Sequence, residues 1–302
     1  MKKYNKMKLL DGNKVASKIV EDLKQDVENL KKKGVEVCLG IILVGDRKDS
    51  ETYVRMKKRR CKEIGIKNYD ILLSEDVTEE QVLEKVNRMN KDPNIHGILV
   101  QLPLPKHINP EKVISSISVE KDVDGFHPEN IGNLALKRLY RSSGDKIYPV
   151  MVPCTPEGCI ELLDRYKIPI EGKEVVILGR SNIVGMPLSL LFLHRNATVT
   201  ICHSHTQNLK KVTSRADILV VACGRKEMIT SEYVKENAAV IDVGIHSVED
   251  ETRKRGYRIT GDVHFNFVKS KCSYLTPVPG GVGPMTIAML LTHVVQLASI
   301  HS

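Results

Sequence analysis

Hydrophobic positions along the chain alternate between two periods. Over residues 13–33, Val15, Ile19, Leu23, Val27 and Leu30 recur at spacings of four and three. That is one apolar stripe of a helix, and Gly34 is its stop signal. Residues 35–44 (VEVCLGIILV) form a continuous apolar run, as in a strand buried on both faces. After a polar loop at 45–49, Ser50 is the expected N-cap of a helix, ETYVRMKKRRCKEIGI. A strand at 68–74 and a helix at 78–91 follow. The helix is capped by Thr78 or Asp76, and Val82, Leu83, Val86 and Met89 face inward. The run HGILVQL (96–102) is a third strand. Residues 121–126 (KDVDGF) are a charged turn, the stretch 137–146 resembles an insertion, and 140–150 is expected to be an irregular exposed loop beside a domain junction.

Beyond a proline-stiffened VPCTP (152–156) the period switches in the same way. A helix at 157–166 leads to buried runs at 175–178, 197–204, 216–223 and 238–245, with a further turn of chain at 261–263. Between these runs lies helix-forming sequence, and 247–257 is a charged, exposed excursion. A final helix beginning near Pro284 buries Ile287, Leu290, Leu291, Val294, Val295 and Leu297. Alternating buried strands and helices predict an α/β protein with a parallel, doubly wound sheet. A length of 302 residues predicts two domains.

Composition adds bounds. At 41% hydrophobic and 27% charged the chain is globular, and no run approaches 18 consecutive apolar residues, so no membrane span is expected. The basic start MKKYNKMKLLDGNK lacks an apolar core, so no secretory signal is expected; an organellar location is the alternative to the cytoplasm if a presequence was removed. Seven scattered cysteines without a CxxC fit free thiols in a reducing, cytoplasmic compartment. Cys202, His203 and His205 match no common zinc spacing, so no metal is expected. The net charge of +9 admits a nucleic-acid binder, but with 4% aromatics and no Trp there is little to stack bases on. A basic cleft for anionic small molecules accounts for the charge equally well.

Candidate chemistry concentrates in two places. The stretch EVVILGRSNIVGMP (174–187) is a strand, a turn with Gly179 and Gly185, and a helix start, which suits a pyrophosphate. Ser181 stands where the second glycine of the full fingerprint would be, so an ordinary β-α turn also fits. The next strand ends CHSHT (202–206) with no carboxylate to repel a 2′-phosphate. Ser204 can donate to that phosphate and Arg180 can balance its charge, which favours NADP over NAD; Ser204 is equally a turn or cap serine. In the first half, Tyr53 and Lys57 lie one helical turn apart, and Cys61 and Ile64 continue their face inward. Lys58, Arg59 and Arg60 crowd Lys57 with like charge, which would tune it toward proton transfer; a basic face in water is the alternative. Gln101 ends its strand, where ligands of open α/β sheets sit. Asp124 is either a turn residue or a carboxylate placed for a ligand. The loop TPVPGGVGPMT (276–286) has little side chain and lets backbone approach a ligand.

Together YVRMKK (53–58), QLPLP (101–105), DVDGF (122–126), PCTP (153–156), GRSNIVGMP (179–187), CHSHT (202–206), VIDVGI (240–245), GDV (261–263) and TPVPGGVGPMT resemble the bifunctional methylenetetrahydrofolate dehydrogenase and methenyltetrahydrofolate cyclohydrolase family. The resemblance covers essentially the whole chain. It implies two α/β domains with a substrate cleft between them. Residues 1–150, with the C-terminal helix 284–302 returning, would form a folate-binding catalytic domain, and 151–283 a Rossmann-like NADP domain through which a homodimer forms. It implies NADP-dependent oxidation of 5,10-methylenetetrahydrofolate to the methenyl cation, then hydrolysis to 10-formyltetrahydrofolate. By the same resemblance Lys57 transfers protons in the hydrolytic half and Gln101 holds its amine. Tyr53 packs on the folate and Asp124 bonds the pterin. Val100, Leu102, Pro279, Gly280, Gly281, Val282 and Gly283 wall the folate. Gly179, Arg180, Ser181, Ser204, His205, Thr206 and Ile245 hold the cofactor. Arg59 departs from the lysine common in the family, and no P-loop of a fused synthetase follows. The alternatives are an NAD(P) dehydrogenase without hydrolytic activity and a basic nucleic-acid-binding protein. The basic surface also suits polyglutamate tails.

Overall fold

The computed structural model describes residues 7–252 and 256–300. The basic residues 1–6, residues 253–255 of the charged excursion and residues 301–302 of the expected last helix lie outside it. From the amino end, strand β1 (Lys8–Leu9) precedes helix α1 (Gly12–Lys32). Then β2 (Cys38–Val44), α2 (Lys48–Ile64), β3 (Lys67–Leu73), α3 (Glu79–Lys91) and β4 (Gly97–Val100) alternate. Short helices α4 (Pro110–Ser115) and α5 (Pro128–Ala135) and a hairpin of β5 (Tyr140–Ser143) and β6 (Lys146–Pro149) lead to α6 (Cys154–Arg165). Next come β7 (Glu174–Leu178), α7 (Gly185–His194), β8 (Thr198–Cys202), α8 (Leu209–Thr213), β9 (Ile218–Val221) and β10 (Ala239–Asp242). A second hairpin, β11 (His246–Glu249) and β12 (Tyr257–Thr260), precedes α9 (Phe265–Val268), β13 (Tyr274–Leu275) and α10 (Val282–Ile300).

The chain divides into two compact units. Of the described residues, one unit holds 17–154 and 287–300; the other holds 7–16, 155–252 and 256–286. The first unit is built on a parallel sheet of order β3-β2-β4. Every residue of β2 after Cys38 is buried, as its unbroken apolar run requires. Val82, Val86 and Met89 of α3 are fully buried, each contributing about 1.5–3 kcal/mol. Met89 fills the space a Cβ on Gly40 would take. A reciprocal capping box between Thr78 and Gln81 starts α3. Gly97 carries the placement that matters most here: a Cβ there would meet Val123 Cγ1 at 2.3 Å and Val294 Cγ2 at 3.3 Å. Without one, the segment after α4 lies along β4, bridging Ile98 to Asp122.

Two expectations fail in this unit. Ser50 is not the N-cap of α2; Arg47 is, and Ser50 is buried inside the helix. Gly45, at φ 78° and bonded through its N–H to the Leu73 carbonyl, turns the chain early. Residues 140–149 are a hairpin rather than an irregular loop. Its inward positions are Arg141 and Tyr148, the guanidinium lying 4.7 Å above the ring and 3.2 Å from Glu120 Oε1. Ile147 and Tyr140 face out, so the hydrophobic alternation a strand normally shows is absent.

The second unit carries a six-stranded sheet of order β1-β13-β10-β9-β7-β8, every pairing in it parallel. Its interior strands β9 and β10 are buried along their whole length. Residues 7–16, expected in the first domain, belong here instead. Lys8 and Leu9 pair with Tyr274 and Leu275, and the Asp11 N–H is held by Tyr166 Oη at 2.9 Å. The excursion after residue 246 contains the antiparallel β11–β12 pair. Residues 261–263 form a turn whose Val263 bridges Ile229. Helix α10 is long and apolar enough to cross a membrane by length and composition alone, but 61% of it is buried within the protein, as in a core helix.

Candidate functional site

In the first unit α2 and β4 bring Lys57 and Gln101 together. Lys57 projects from the inward face of α2 and is buried. Its Nζ donates to Gln101 Oε1 at 3.1 Å. Gln101 is fixed in turn: its backbone N–H reaches the Ile42 carbonyl at 2.9 Å and its Nε2 donates to the Leu102 carbonyl at 2.7 Å. The side-chain amide therefore has one orientation, oxygen toward the amine. The neighbouring cations do not crowd Lys57 as expected. Lys58 pairs with Asp70 at 2.5 Å and Arg60 with Glu63 at 2.8 Å. Tyr53, one turn from Lys57, is half-buried, as are Gln101 and Leu102, and Val100 is buried.

The structure shows which aspartate of the DVDG turn makes its hydrogen bonds. Asp122, not Asp124, builds it. Asp122 is buried and accepts from the N–H groups of Gly125 (3.1 Å) and His127 (2.8 Å) and from Asn130 Nδ2 (2.9 Å). Gly125, at φ 72°, passes so close to Val152 that a Cβ would lie 2.5 Å from its carbonyl carbon. Asp124 is left over by this turn and remains partly exposed. Burial pushes its carboxyl up to about 6; nearby Lys57 pulls it down, Asp122 pushes it up and His293 pulls it down. Lys57, Gln101 and Asp124 are thus an amine from α2, an amide just past β4 and a carboxylate from the DVDG turn, with Lys57 close enough to act on both of the others.

The folate-wall residues divide differently from the expectation of one loop. Pro279, Gly280 and Gly281 form a turn in the second unit, while Val282 and Gly283 are already in the first turn of α10. The Gly280 carbonyl accepts from the Asn13 N–H at 3.1 Å. Gly12 approaches Gly281 so closely that a Cβ would lie 1.7 Å from its oxygen.

The second unit holds a cleft of about 270 Å³ at the carboxyl ends of β7, β8 and β9. Gly179 and Arg180 line it together with Ser204 and Thr206. Gly179 has φ 133° and lies under the Ala222 carbonyl, where a Cβ would come within 2.2 Å; Gly185 packs as tightly on the Gly179 oxygen. This is a cradle that side chains would fill, of the kind a dinucleotide pyrophosphate occupies. Ser181 Oγ accepts from the Val184 N–H at 3.2 Å, organising the first turn of α7. Thr206 Oγ1 accepts from the His203 N–H at 2.8 Å and His205 N–H donates to His203 Nδ1 at 3.2 Å. Ser181, His205 and Ile245 are not in the wall of this cleft. The sequence reading missed His203, Cys223 and Arg225, which are. The signal for the last two was Gly224, three residues past the end of β9 and at φ 67°. The lining contains no carboxylate, so the cleft fits a phosphate-bearing cofactor. The reading also missed a buried carboxylate pair beneath it, Asp242 and Asp262. Asp262 Oδ2 accepts from the Cys223 and Gly224 N–H groups at 2.7 and 3.0 Å, and its Oδ1 meets His246 Nε2 at 2.7 Å. Among the described residues no cluster of His, Cys, Asp and Glu is arranged to hold a metal.

Comparison with known proteins extends this geometry. Residues 10–124 match the model of the tetrahydrofolate dehydrogenase/cyclohydrolase catalytic domain. Residues 153–302 match the NAD(P)-binding domain of the same family. The chain is 50% identical over 291 residues to bifunctional protein FolD 4, chloroplastic, of Arabidopsis thaliana, covering 96% of this chain and 79% of that protein. It is 49% identical over 288 residues to the bifunctional protein FolD of Agathobacter rectalis, covering 95% and 98%. Among solved structures, the Trypanosoma brucei methylenetetrahydrofolate dehydrogenase-cyclohydrolase, complexed with NADP and an inhibitor, superposes with a TM-score of 0.91 at 39% identity, covering 97% of each chain. With a catalytic-domain match over the unit that holds Lys57 and a cofactor-domain match over the unit that holds the glycine cradle, this chain belongs to the tetrahydrofolate dehydrogenase/cyclohydrolase family.

Proposed function

We propose that Lys57, Gln101 and Asp124 carry the folate chemistry of this bifunctional enzyme, which oxidises 5,10-methylenetetrahydrofolate with NADP and hydrolyses the methenyl product to 10-formyltetrahydrofolate. The observation that carries the assignment is the buried Lys57 amine bonded to an amide of fixed orientation. The cradle of Gly179 and Gly185 would hold NADP, which would supply the hydride acceptor, and Arg180 and Ser204 would hold its 2′-phosphate.

Removing hydride from the methylene carbon leaves a methenyl cation, and the enzyme must then bring water to that carbon. Attack forms a C–O bond and releases a proton; opening of the five-membered ring breaks a C–N bond and returns a proton to nitrogen. Lys57 is the group that moves these protons, and Gln101 keeps its amine directed. The Asp124 carboxylate, ionised above about pH 6, accepts from the pterin N–H groups and orients the ring. Tyr53 packs on the aromatic part of the substrate. By the family likeness, the turn 279–281 and the start of α10 wall the folate. Ser181, His205, Thr206 and Ile245 complete the cofactor site.

Lys57→Met should abolish conversion of methenyl to formyl folate while leaving NADP affinity unchanged. Full hydrolytic activity in that variant would remove Lys57 from the mechanism, whereas absence of hydrolysis in the unaltered enzyme would return the dehydrogenase-only alternative. Two further readings rest on the family and the charge. The protein forms a homodimer through its cofactor units, which sedimentation would show. The net charge of +9 favours polyglutamylated over monoglutamylated substrate, an order that KM values for the two would reverse if the reading is wrong.

A further inference from the structure

We propose that His293, on the C-terminal helix α10, is a positioning residue for Asp124: it clamps the Val123–Asp124 peptide and so fixes the carboxylate that meets the folate. The inference rests on the reading of Asp124 as that carboxylate. His293 is 2% exposed. Its Nδ1 lies 2.8 Å from the Val123 carbonyl oxygen. A carbonyl only accepts, so Nδ1 carries the proton and the tautomer is set. Cys154, equally buried, points its thiol at the same oxygen from 3.2 Å. Its Sγ is also 3.7 Å from His293 Nδ1 and 3.9 Å from Asp124 Oδ1. Two donors on one backbone oxygen, from two different helices, hold the residue that precedes Asp124. The residue that follows is held as firmly, because Gly125 fits against Val152 and Pro153 with no room for a Cβ. Asp124 therefore sits between two clamped neighbours, and its side chain has little freedom beyond its own rotation.

An ordinary core position on α10 would ask for an aliphatic side chain, as at Val294 and Leu297. A buried imidazole is costly unless its hydrogen bonds are made. Here one of those bonds is spent on the peptide that carries the candidate substrate carboxylate. The ionisable groups that act on this carboxylate are Lys57, Asp122 and His293, with the Cys154 thiol beside it. Of these His293 is the one supplied by the C-terminal helix.

The test compares His293→Asn, His293→Gln and His293→Leu with the unaltered enzyme. Asn places an amide donor where Nδ1 stood, and Gln displaces it by one bond. The readouts are kcat and KM for methylenetetrahydrofolate, KM for NADP, and the pH profile of kcat/KM. Loss of the clamp in His293→Leu should lower kcat/KM for the folate by about tenfold or more, as small misplacements do. The KM for NADP should stay within about twofold, and the acid limb of the profile should move to higher pH. Asn should restore most of the loss and Gln little of it; both are polar, so the contrast holds even where Leu prevents folding. Equal activities for Asn and Gln would overturn the proposal. So would a Leu variant with unchanged folate kinetics, or one that raises the KM of NADP as much as that of the folate. Asp124→Asn is measured alongside. If it is fully active, the reading of Asp124 itself fails; if it is inactive while His293→Leu is normal, only the clamp fails.

Discussion

Removing the Asp262 carboxylate should damage the cofactor unit more than any exposed residue of the cleft can. Asp262 is completely buried and is not in the wall of the cofactor cleft. Its Oδ2 holds the N–H groups of Cys223 and Gly224 at 2.7 and 3.0 Å, and its Oδ1 holds His246 Nε2 at 2.7 Å. In Asp262→Ala two backbone donors lose a charged acceptor, at about 1.5–3 kcal/mol each, or about 3–6 kcal/mol together. For a unit of this size each kcal/mol shifts Tm by roughly 2–4 °C, so the loss should be about 6–24 °C. The functional effect follows from position. Cys223 and Arg225 line the cofactor cleft on the loop that Asp262 pins, and Ile245 precedes the histidine it holds. The KM for NADP should therefore rise several-fold, while hydrolysis of supplied methenyl folate, which needs no nucleotide, should persist below the new Tm. Asp262→Asn retains an acceptor oxygen for the two N–H groups and should lose about half as much. Calorimetry and the two separate activity assays are sufficient. An alanine variant that melts within about 2 °C of the parent with unaltered NADP kinetics would refute the argument that this carboxylate organises the site.

Arg180→Gln should raise the KM for NADP about tenfold or more and leave that for NAD nearly unchanged, since a charge-assisted contact to a phosphate is worth about 1.5–3 kcal/mol. Equal changes for both nucleotides would mean that Arg180 does not face the 2′-phosphate. Glu120→Gln should cost about 1–2 kcal/mol at neutral pH after allowance for solvent screening. Burial alone would push the Glu120 carboxyl up, but the Ser118 hydroxyl, its own backbone, the Ser143 hydroxyl and Arg141 bring it down to about 2. Because the folded value lies below the unfolded one, that stability is present above about pH 4.5 and is lost as pH falls toward 2. Denaturant melts at pH 7 and pH 3 of parent and variant should converge at the lower pH.

What the sequence displays, and what it hides, follows from the range over which each feature is encoded. The parallel α/β architecture is written locally, as apolar runs separated by helical stripes, and it is the architecture found. The helix that carries Lys57 and the strand that ends in Gln101 were each legible by their own periods, and the contact between them needs only that α2 pack on β4. Features that depend on distant partners were not legible. Strand β1 is two residues long and has no period; only Tyr274 and Leu275, more than 250 positions away, define it. The hairpin at 140–149 turns an arginine inward because Glu120 and Tyr148 are there to receive it.

The two aspartates of DVDG show the same limit at the scale of a single side chain. Asp122 and Asp124 are identical in type, two positions apart, and either could close a turn at Gly125. What separates them is Gly97. Because it lacks a Cβ, Val123 can lie against β4 and Asp122 can bridge to Ile98, which fixes the phase of the segment. With that phase Asp122 meets Asn130 Nδ2 and the His127 N–H and is consumed by structure. Asp124, two positions farther along, is past those partners and lies beside the thiol of Cys154 and under the influence of Lys57. A residue with a side chain at position 97 would therefore act on the candidate site without touching it. By shifting Val123 it would move Asp124, and a folate-specific loss of activity in Gly97→Ala, with the nucleotide KM preserved, is what this chain of contacts requires.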